Sequence, residues 1–430
     1  MYRPKAFRSG SGPPVAFSVV LLVQKYGGTS VADPDRVGAV ADHVARTRRA
    51  GDDVVVVVSA MGKTTDGLLA LARQQSEDPD PRELDMLLAT GEQVTIALLA
   101  MALGSLGCPA RSFTGAQAGM RTTAAHTRAR ITRIDADRVR EAIEKGQVAI
   151  VAGFQGLTDD DEITTLGRGG SDLSAVALAA ALGADVCEIY TDVEGVYTAD
   201  PRIVPEARKL PRVSFDEMLE MAATGGRVLA LRSVEFARNH NVKVHVRSSF
   251  TWAPGTWVTE EDAVMDAIEA MEQAIISGVT HDTTEAKVTI EQVPDRPGVA
   301  ATIFRDLAEG GINVDMIVQN VSTAGRTDIS FTAPRADLSR AEAVMEKIVV
   351  ETDASGWRTD ERIGRVSLIG AGMRTHPGIA AKMFEVLAGE GINIEMISTS
   401  TIRISCVVGE DDVERAVRAL HAAFGLGQGV

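Results

Sequence analysis

Two stretches of the chain, GVAATIFRDLAEGGINVDMIVQN from Gly298 and GIAAKMFEVLAGEGINIEMISTS from Gly378, align without a gap about eighty residues apart. Phe304 meets Phe384, Leu307 meets Leu387, Asn313 meets Asn393 and Met316 meets Met396. Each copy follows one strand-like run (AKVTIEQV, GRVSLIGA) and precedes another (TDISFTA, TIRISCVV). Strand, helix, strand, strand is the opening of a ferredoxin-like βαββαβ module. Two copies are too few for a solenoid, so the C-terminal part reads as a pair of small domains.

Up to about residue 260 the texture differs. Strand-like runs (VVLLVQK, DVVVVVSA, VAIVAGF, DVCEIYTDV) alternate with helical segments (DPDRVGAVADHVARTRRA, RELDMLLATGEQVTIALLAMALGSLG, SDLSAVALAAALGAD). The last of these has Ser171 as its expected N-cap and Gly183 past its end. Strands apolar on both faces, separated by helices, imply an open, mainly parallel α/β sheet covered by helices. Aromatics make up 4 % of the 430 residues, so these cores rest on Ala, Val, Leu and Ile. The expected divisions are an extension at 1–18, an α/β domain at 19–260, an acidic connector at 261–273, and small domains at 274–355 and 356–430.

The net charge of −15 argues against nucleic-acid binding, which depends on clustered Lys and Arg. Cys108, Cys187 and Cys406 form neither a metal-ligand spacing nor a disulfide framework, which suits a reducing cytoplasm. His240 and His245 are too poorly spaced for zinc and read as structural. Arg3, Lys5 and Arg8 ahead of VAFSVVLLV imitate an export signal. No small-x-small cleavage site follows, and Lys25 with two glycines ends the run. No stretch reads as the ~20 apolar residues of a membrane span.

Four segments carry chemistry. In QKYGGTS, Lys25 leaves the carboxyl end of the first strand, and Gly27 and Gly28 let amides turn toward an anion. This is not a P-loop, whose lysine follows its glycines. In TTLGRGGSDLSAV, Gly167, Gly169 and Gly170 surround Arg168 at a helix start marked by Ser171 and Asp172, an arrangement suited to an anion or to an ordinary turn and cap. SAMGKTTDG places Ser59, Lys63, Thr64 and Thr65 after the valine strand. TDVEGVYTADPRIV places Thr191 and its successors after another strand. Glu92, an acid among Leu, Ala and Val, is either solvated or a partner for an ammonium. VSLIGAGMRTHPG imitates a dinucleotide fingerprint but falls inside the second repeat, so Rossmann binding is not expected.

With KYGGTSV, SAMGKTTD, ELDMLLATGE, FTGAQAG, TTLGRGGSD, EIYTDVEGVYTADPR, VHVRSSF and the two GIN blocks in this order, the chain resembles the aspartate kinases of the amino-acid kinase family, which carry two C-terminal ACT domains. The resemblance runs from about Leu22 to Leu426. It implies transfer of phosphoryl from ATP, with Mg2+, to the β-carboxylate of L-aspartate. That is the first step toward lysine, threonine, methionine and diaminopimelate. By the same resemblance Lys25, Arg168 and Asp172 are catalytic. Lys25, Tyr26, Gly27, Gly28, Ser59, Thr191, Asp192, Tyr197, Asp200, Arg202 and Arg227 serve ATP, and Thr65, Glu92, Arg168, Gly169, Gly170 and Ser171 serve aspartate. Arg227 stands where relatives commonly have lysine. No metal ligands of the protein's own are expected, since phosphates and water supply most magnesium ligands.

The ACT pair implies feedback by lysine, threonine or both. Asp295, Pro297, Gly298, Ile312, Asn313, Val314 and Gln319 in the first copy, with Asn393 and Ile394 in the second, are the implied contacts. Asn313 and Asn393 suit a turn cap equally well. A homo-oligomer is expected, or association with a regulatory subunit begun internally at Met265 or Met271. The alternatives are another carboxylate kinase of the same fold and a non-catalytic amino-acid sensor.

Overall fold

The structure, a computed structural model, describes residues 19–260, 276–320, 325–374 and 376–427. The expected extension at 1–18, the connector at 261–273, and Met265 and Met271 lie outside the described residues.

The valine run forms β2 (Asp53–Val58), and alternation between two covered faces explains why all five valines are buried. Val54, Val56 and Val58 pack with α1 (Pro34–Arg49) and α4 (Thr90–Ser105) on one face. Val55 and Val57 pack toward α5 (Asp137–Glu144) and α6 (Gly170–Leu182) on the other. The strand lies in an eight-stranded sheet with β1 (Leu21–Tyr26), β3 (Ala110–Phe113), β6 (Val148–Ala152), β9 (Val186–Thr191), β10 (Arg212–Ser214), β11 (Val244–Ser248) and β12 (Thr256–Thr259). The order is β10-β12-β11-β9-β1-β2-β6-β3, parallel except where β12 runs against β11. Helices α7 (Phe215–Ala223) and α8 (Leu231–Asn239) complete the cover on the α6 side.

A second sheet, absent from the sequence expectation, joins β4 (Met120–Thr122), β5 (Ile131–Ile134), β7 (Gln155–Leu157) and β8 (Ile163–Thr165) in the order β5-β4-β7-β8. Helix α2 (Thr64–Gln75) follows the β2 loop, and α3 (Pro81–Leu88) runs into α4. The joined segment Pro81–Ser105 has 25 residues and holds an 18-residue window with a mean hydropathy of 1.7, enough by length and composition to cross a membrane. Here it is a core element: Asp85 and Glu92 are buried within it, and Ile96, Leu99 and Leu103 pack with α1 and β2.

The repeats form two four-stranded antiparallel sheets. The first contains β14 (Glu285–Pro294), α9 (Val299–Glu309), β15 (Ile317–Gln319), β16 (Arg326–Pro334), α10 (Leu338–Thr352) and β17 (Gly356–Asp360), in strand order β15-β16-β14-β17. The second contains β18 (Ile363–Ile369), α11 (Ile379–Gly389), β19 (Met396–Thr399), β20 (Arg403–Gly409) and α12 (Val413–Ala423). Its fourth strand is β13 (Gly278–Asp282), which precedes the whole first module; the order is β13-β18-β20-β19. The contiguous division at 274–355 and 356–430 is therefore corrected by the sheet pairing: residues 278–282 belong to the second sheet and 356–360 to the first. The repeated block holds three strands of each module, so it carried no information about where the fourth comes from. Helices α9 and α11 start after left-handed glycines of matching geometry, Gly298 (φ 96°) and Gly378 (φ 97°). With β18 between two antiparallel neighbours, the glycine-rich run after it opens no dinucleotide fold.

Candidate active site

At the carboxyl ends of β1, β2, β6, β9 and β11 the chain leaves the sheet through short loops that are tied to one another. Ser59 N–H donates to Tyr26 O (3.1 Å), Gly62 N–H to Gly28 O (3.0 Å), Gly153 N–H to Val58 O (3.0 Å) and Ser249 N–H to Thr191 O (3.0 Å). Ligands of open α/β sheets bind at this edge.

Lys25 lies on β1 with its side chain 11 % exposed, and its Nζ meets Asp172 Oδ1 at 2.5 Å. Asp172 stands in the first turn of α6, so the ion pair fixes the ammonium at that helix's N-terminus. Alternation along the strand sends Tyr26 the other way. Its ring is fully buried and stacked on Tyr190 with centroids 4.7 Å apart, and its hydroxyl donates to Gln24 Oε1. The expectation that Tyr26 serves ATP is therefore corrected for its side chain, and its backbone alone reaches the strand end. Gly28 lies so close to the β2 loop that a Cβ would stand 3.0 Å from the Ala60 and Gly62 carbonyls.

The start of α6 differs from the sequence expectation. Its N-cap is Gly169, held at φ 74°, and no side chain caps the helix; Ser171 is a buried first-turn residue. A side chain at Gly169 would place its Cβ 2.2 Å from that of Ala230. An uncapped helix start with a lysine beside it is a site for an anion. Arg168 projects from this turn, exposed, with no hydrogen-bond or ion-pair partner among the described residues.

Of the two readings open for Glu92, burial excludes the solvated one. The residue is 2 % exposed, its Oε1 accepts the Ala60 N–H (3.1 Å), and its Oε2 has no partner among the described residues. Burial pushes its carboxyl up to about 7, with the backbone bonds pulling weakly the other way. A buried acid with one free oxygen beside the β2 loop is suited to a cationic ligand group.

Thr65 is half-buried in the first turn of α2, another start without a side-chain cap. Thr191 ends β9 and donates to Asp192 Oδ1 (3.1 Å). Farther along that loop Tyr197 bridges to Lys209, and Asp200 holds Arg202 at 2.6 Å, a bond that lowers the Asp200 carboxyl. Their loop also packs on the second small domain, where Val279 N–H donates to Thr198 O (2.8 Å) and His421 bonds Thr198 Oγ1 (3.0 Å). Arg227 is exposed after the Gly225–Gly226 turn. Among the described residues no group of three or more His, Cys, Asp or Glu converges on a metal position.

Of the implied effector contacts, Asp295, Pro297, Gly298, Asn313, Gln319 and Asn393 are exposed, and Val314 and Ile394 half-buried. Ile312 is 4 % exposed within the first module's core, so its side chain is corrected from contact to packing residue. The sequence does not mark Phe154. This residue holds φ 69°, its N–H donates to Ser174 Oγ (3.1 Å), and its ring would meet a Cβ at Gly170 at 2.9 Å.

Residues 20–248 match the amino acid kinase family, and 288–350 and 366–424 each match the ACT domain. The chain is 56 % identical over 412 residues to the aspartokinase of Mycolicibacterium smegmatis, covering 95 % of this chain and 97 % of that protein. It is 53 % identical, over the same shares, to the aspartokinase of Corynebacterium glutamicum. Among solved structures it is similar to E. coli aspartokinase III in complex with aspartate and ADP (R-state), with a TM-score of 0.78 and 27 % identity over 94 % of this chain and 99 % of that one. The T-state of the same E. coli protein, in complex with lysine and aspartate, gives a TM-score of 0.69 at 26 % identity, again over 94 % and 99 % of the two chains.

Proposed function

The chain belongs to the aspartokinases of the amino acid kinase family, and from that membership we propose how its residues phosphorylate the β-carboxylate of L-aspartate with ATP under amino-acid feedback. The observation that carries the reading is the Lys25–Asp172 pair at an uncapped helix start, with the half-free carboxylate of Glu92 on the adjoining loop.

A carboxylate with a pKa of about 4 is already ionised at neutral pH, so the nucleophile needs no general base. The work left to the protein is to hold two anions in line against their repulsion. Arg168 clamps the α-carboxylate of aspartate and Glu92 its α-ammonium, while Thr65 and Ser171 orient the body of the substrate. Lys25, steadied by Asp172, neutralises charge building on the transferring phosphoryl oxygens, and the amides of Gly27 and Gly28 face the same phosphate. Ser59, Thr191, Asp192, Tyr197, Asp200, Arg202 and Arg227 line the nucleotide side. An Mg2+ ion held chiefly by the nucleotide's phosphates and water would ask few ligands of the protein. When bound, such an ion supplies charge neutralisation at the β- and γ-phosphates. ATP supply places the reaction in the cytoplasm.

The paired ACT modules take lysine, threonine or both, and the lysine in the E. coli T-state structure supports the first. Edge strands β15 and β19 expose Ile317 and Ile397 at matching positions, which supports association of two such pairs in a homo-oligomer. Trapping the product of the purified chain with hydroxylamine tests the function. Hydroxamate forms with ATP and aspartate and at most a trace with glutamate; equal rates with both acids, or none with aspartate, contradict the reading.

A further inference from the structure

Arg365 lies on β18 with its side chain 2 % exposed, and three carboxylates face its guanidinium from three elements. Asp282 ends β13 and stands 3.6 Å away; Glu285 opens β14 and stands 3.5 Å away. Asp315, in the loop between α9 and β15, is hydrogen-bonded to Nη1. Nη2 also donates to the carbonyl of Ala223, in the last turn of α7 (3.0 Å). One side chain thus touches both regulatory modules and the kinase domain. An ion cluster this deep is a poor source of stability, because desolvation offsets much of the attraction.

What lies at each end gives the cluster its meaning. Asp315 follows Asn313 and Val314 in the GIN block, on the rim implied for the effector. Ala223 precedes Thr224, Gly225, Gly226 and Arg227, the turn that presents Arg227. That turn has no slack against β13: Thr224 Oγ1 and Thr280 Oγ1 are 2.6 Å apart, and a Cβ at Gly225 would stand 1.9 Å from the His281 carbonyl. The repeat supplies an internal comparison. Lys287 on β14 and Glu395 after α11 take the corresponding places in the other direction and pair with each other, but among the described residues neither bonds the kinase domain.

We propose that Arg365 is the positioning residue that couples the effector loop to the nucleotide side of the active site, through Asp315 at one end and Ala223 O at the other. The proposal rests on the reading of the GIN loop as the effector rim. An effector that draws this loop toward itself changes the hold of Asp315 on the guanidinium, and α7 and the Arg227 turn follow. Coupling of this kind requires that the effector distinguish two arrangements of these elements.

The test uses the full-length chain as wild type, Arg365→Gln, Arg365→Lys, Asp315→Asn and Lys287→Gln. For each, inhibition by lysine, by threonine and by both is measured against that variant's own uninhibited rate, and effector binding is measured by calorimetry. A merely structural defect lowers the rate but leaves this ratio unmoved. In Arg365→Gln and Asp315→Asn the effector binds, yet its half-inhibitory concentration rises at least about fivefold. Arg365→Lys, with no second arm for Ala223, behaves the same way, and Lys287→Gln stays within about twofold of wild type. Asp315 is a third exposed, so its variant decides the matter if Arg365→Gln does not fold. Wild-type inhibition in both Asp315→Asn and Arg365→Lys overturns the proposal, as does equal uncoupling by Lys287→Gln. A wild type that binds neither amino acid overturns the effector reading itself, and the proposal with it; the wild-type arm alone shows this.

Discussion

Lys25→Ala lowers kcat for aspartyl phosphate formation by about a thousandfold, the scale of removing a preorganised charge from a site where transition-state charge develops. The effect falls on kcat because Lys25 is asked to act on charge that grows during transfer, and ground-state binding of ATP rests on several other groups. The variant also leaves Asp172 without its ammonium at 12 % exposure, so a thermal melt accompanies the kinetics to separate lost chemistry from lost fold. Effector binding by calorimetry survives, since Lys25 lies in the kinase domain and the first ACT module builds a core of its own. Steady-state turnover near wild type in a folded Lys25→Ala would remove this residue from its assigned role.

The second large effect belongs to Glu92 and is read from pH. Its carboxyl sits at about 7 before substrate arrives, so it is neutral below that pH and ionised above it. An α-ammonium needs the ionised form. KM for aspartate therefore rises about tenfold for each pH unit below 7, in proportion to the falling share of competent enzyme, and is flat above. Glu92→Gln abolishes this slope and raises KM at pH 8 by about thirtyfold or more, the scale of losing one partner of a buried charge pair. KM for ATP shows neither change. An aspartate profile in Glu92→Gln with the wild-type slope would assign the titration to another group.

Much of this was legible in the chain because it is written as periodicity and spacing. Five valines in a row specify a strand buried on both faces, and glycine with a basic residue at strand ends marks where anions are met. The gapless repeat announces paired modules. What was not legible depends on partners distant in sequence. Residues 278–282 are an ordinary short strand until β18 selects them, at a separation no local pattern records. The sheet of β4, β5, β7 and β8 is built from strands of three or four residues, too short to show a period. Tyr26 and Ile312 were assigned to sites because their neighbours in sequence belong there, although alternation and core packing turn their side chains inward. Ser171 looked like a cap because serine favours that position, but Gly169 in the left-handed region starts the helix two residues earlier and leaves its amides open. The segment Pro81–Ser105 shows the same limit from the other side: hydropathy alone would let it cross a membrane, and buried Asp85 and Glu92 show that it belongs to a protein core.

A crystal structure of the full chain with aspartate, magnesium and a non-hydrolysable ATP analogue bears most directly on the account. It should place the terminal phosphate over the Gly27–Gly28 turn within hydrogen-bond reach of Lys25 Nζ. The β-carboxylate of aspartate should be in line with that phosphate, its ammonium on Glu92 and its α-carboxylate on Arg168. A triphosphate seated away from that turn, or aspartate bound with its β-carboxylate facing away from the phosphate, would contradict it.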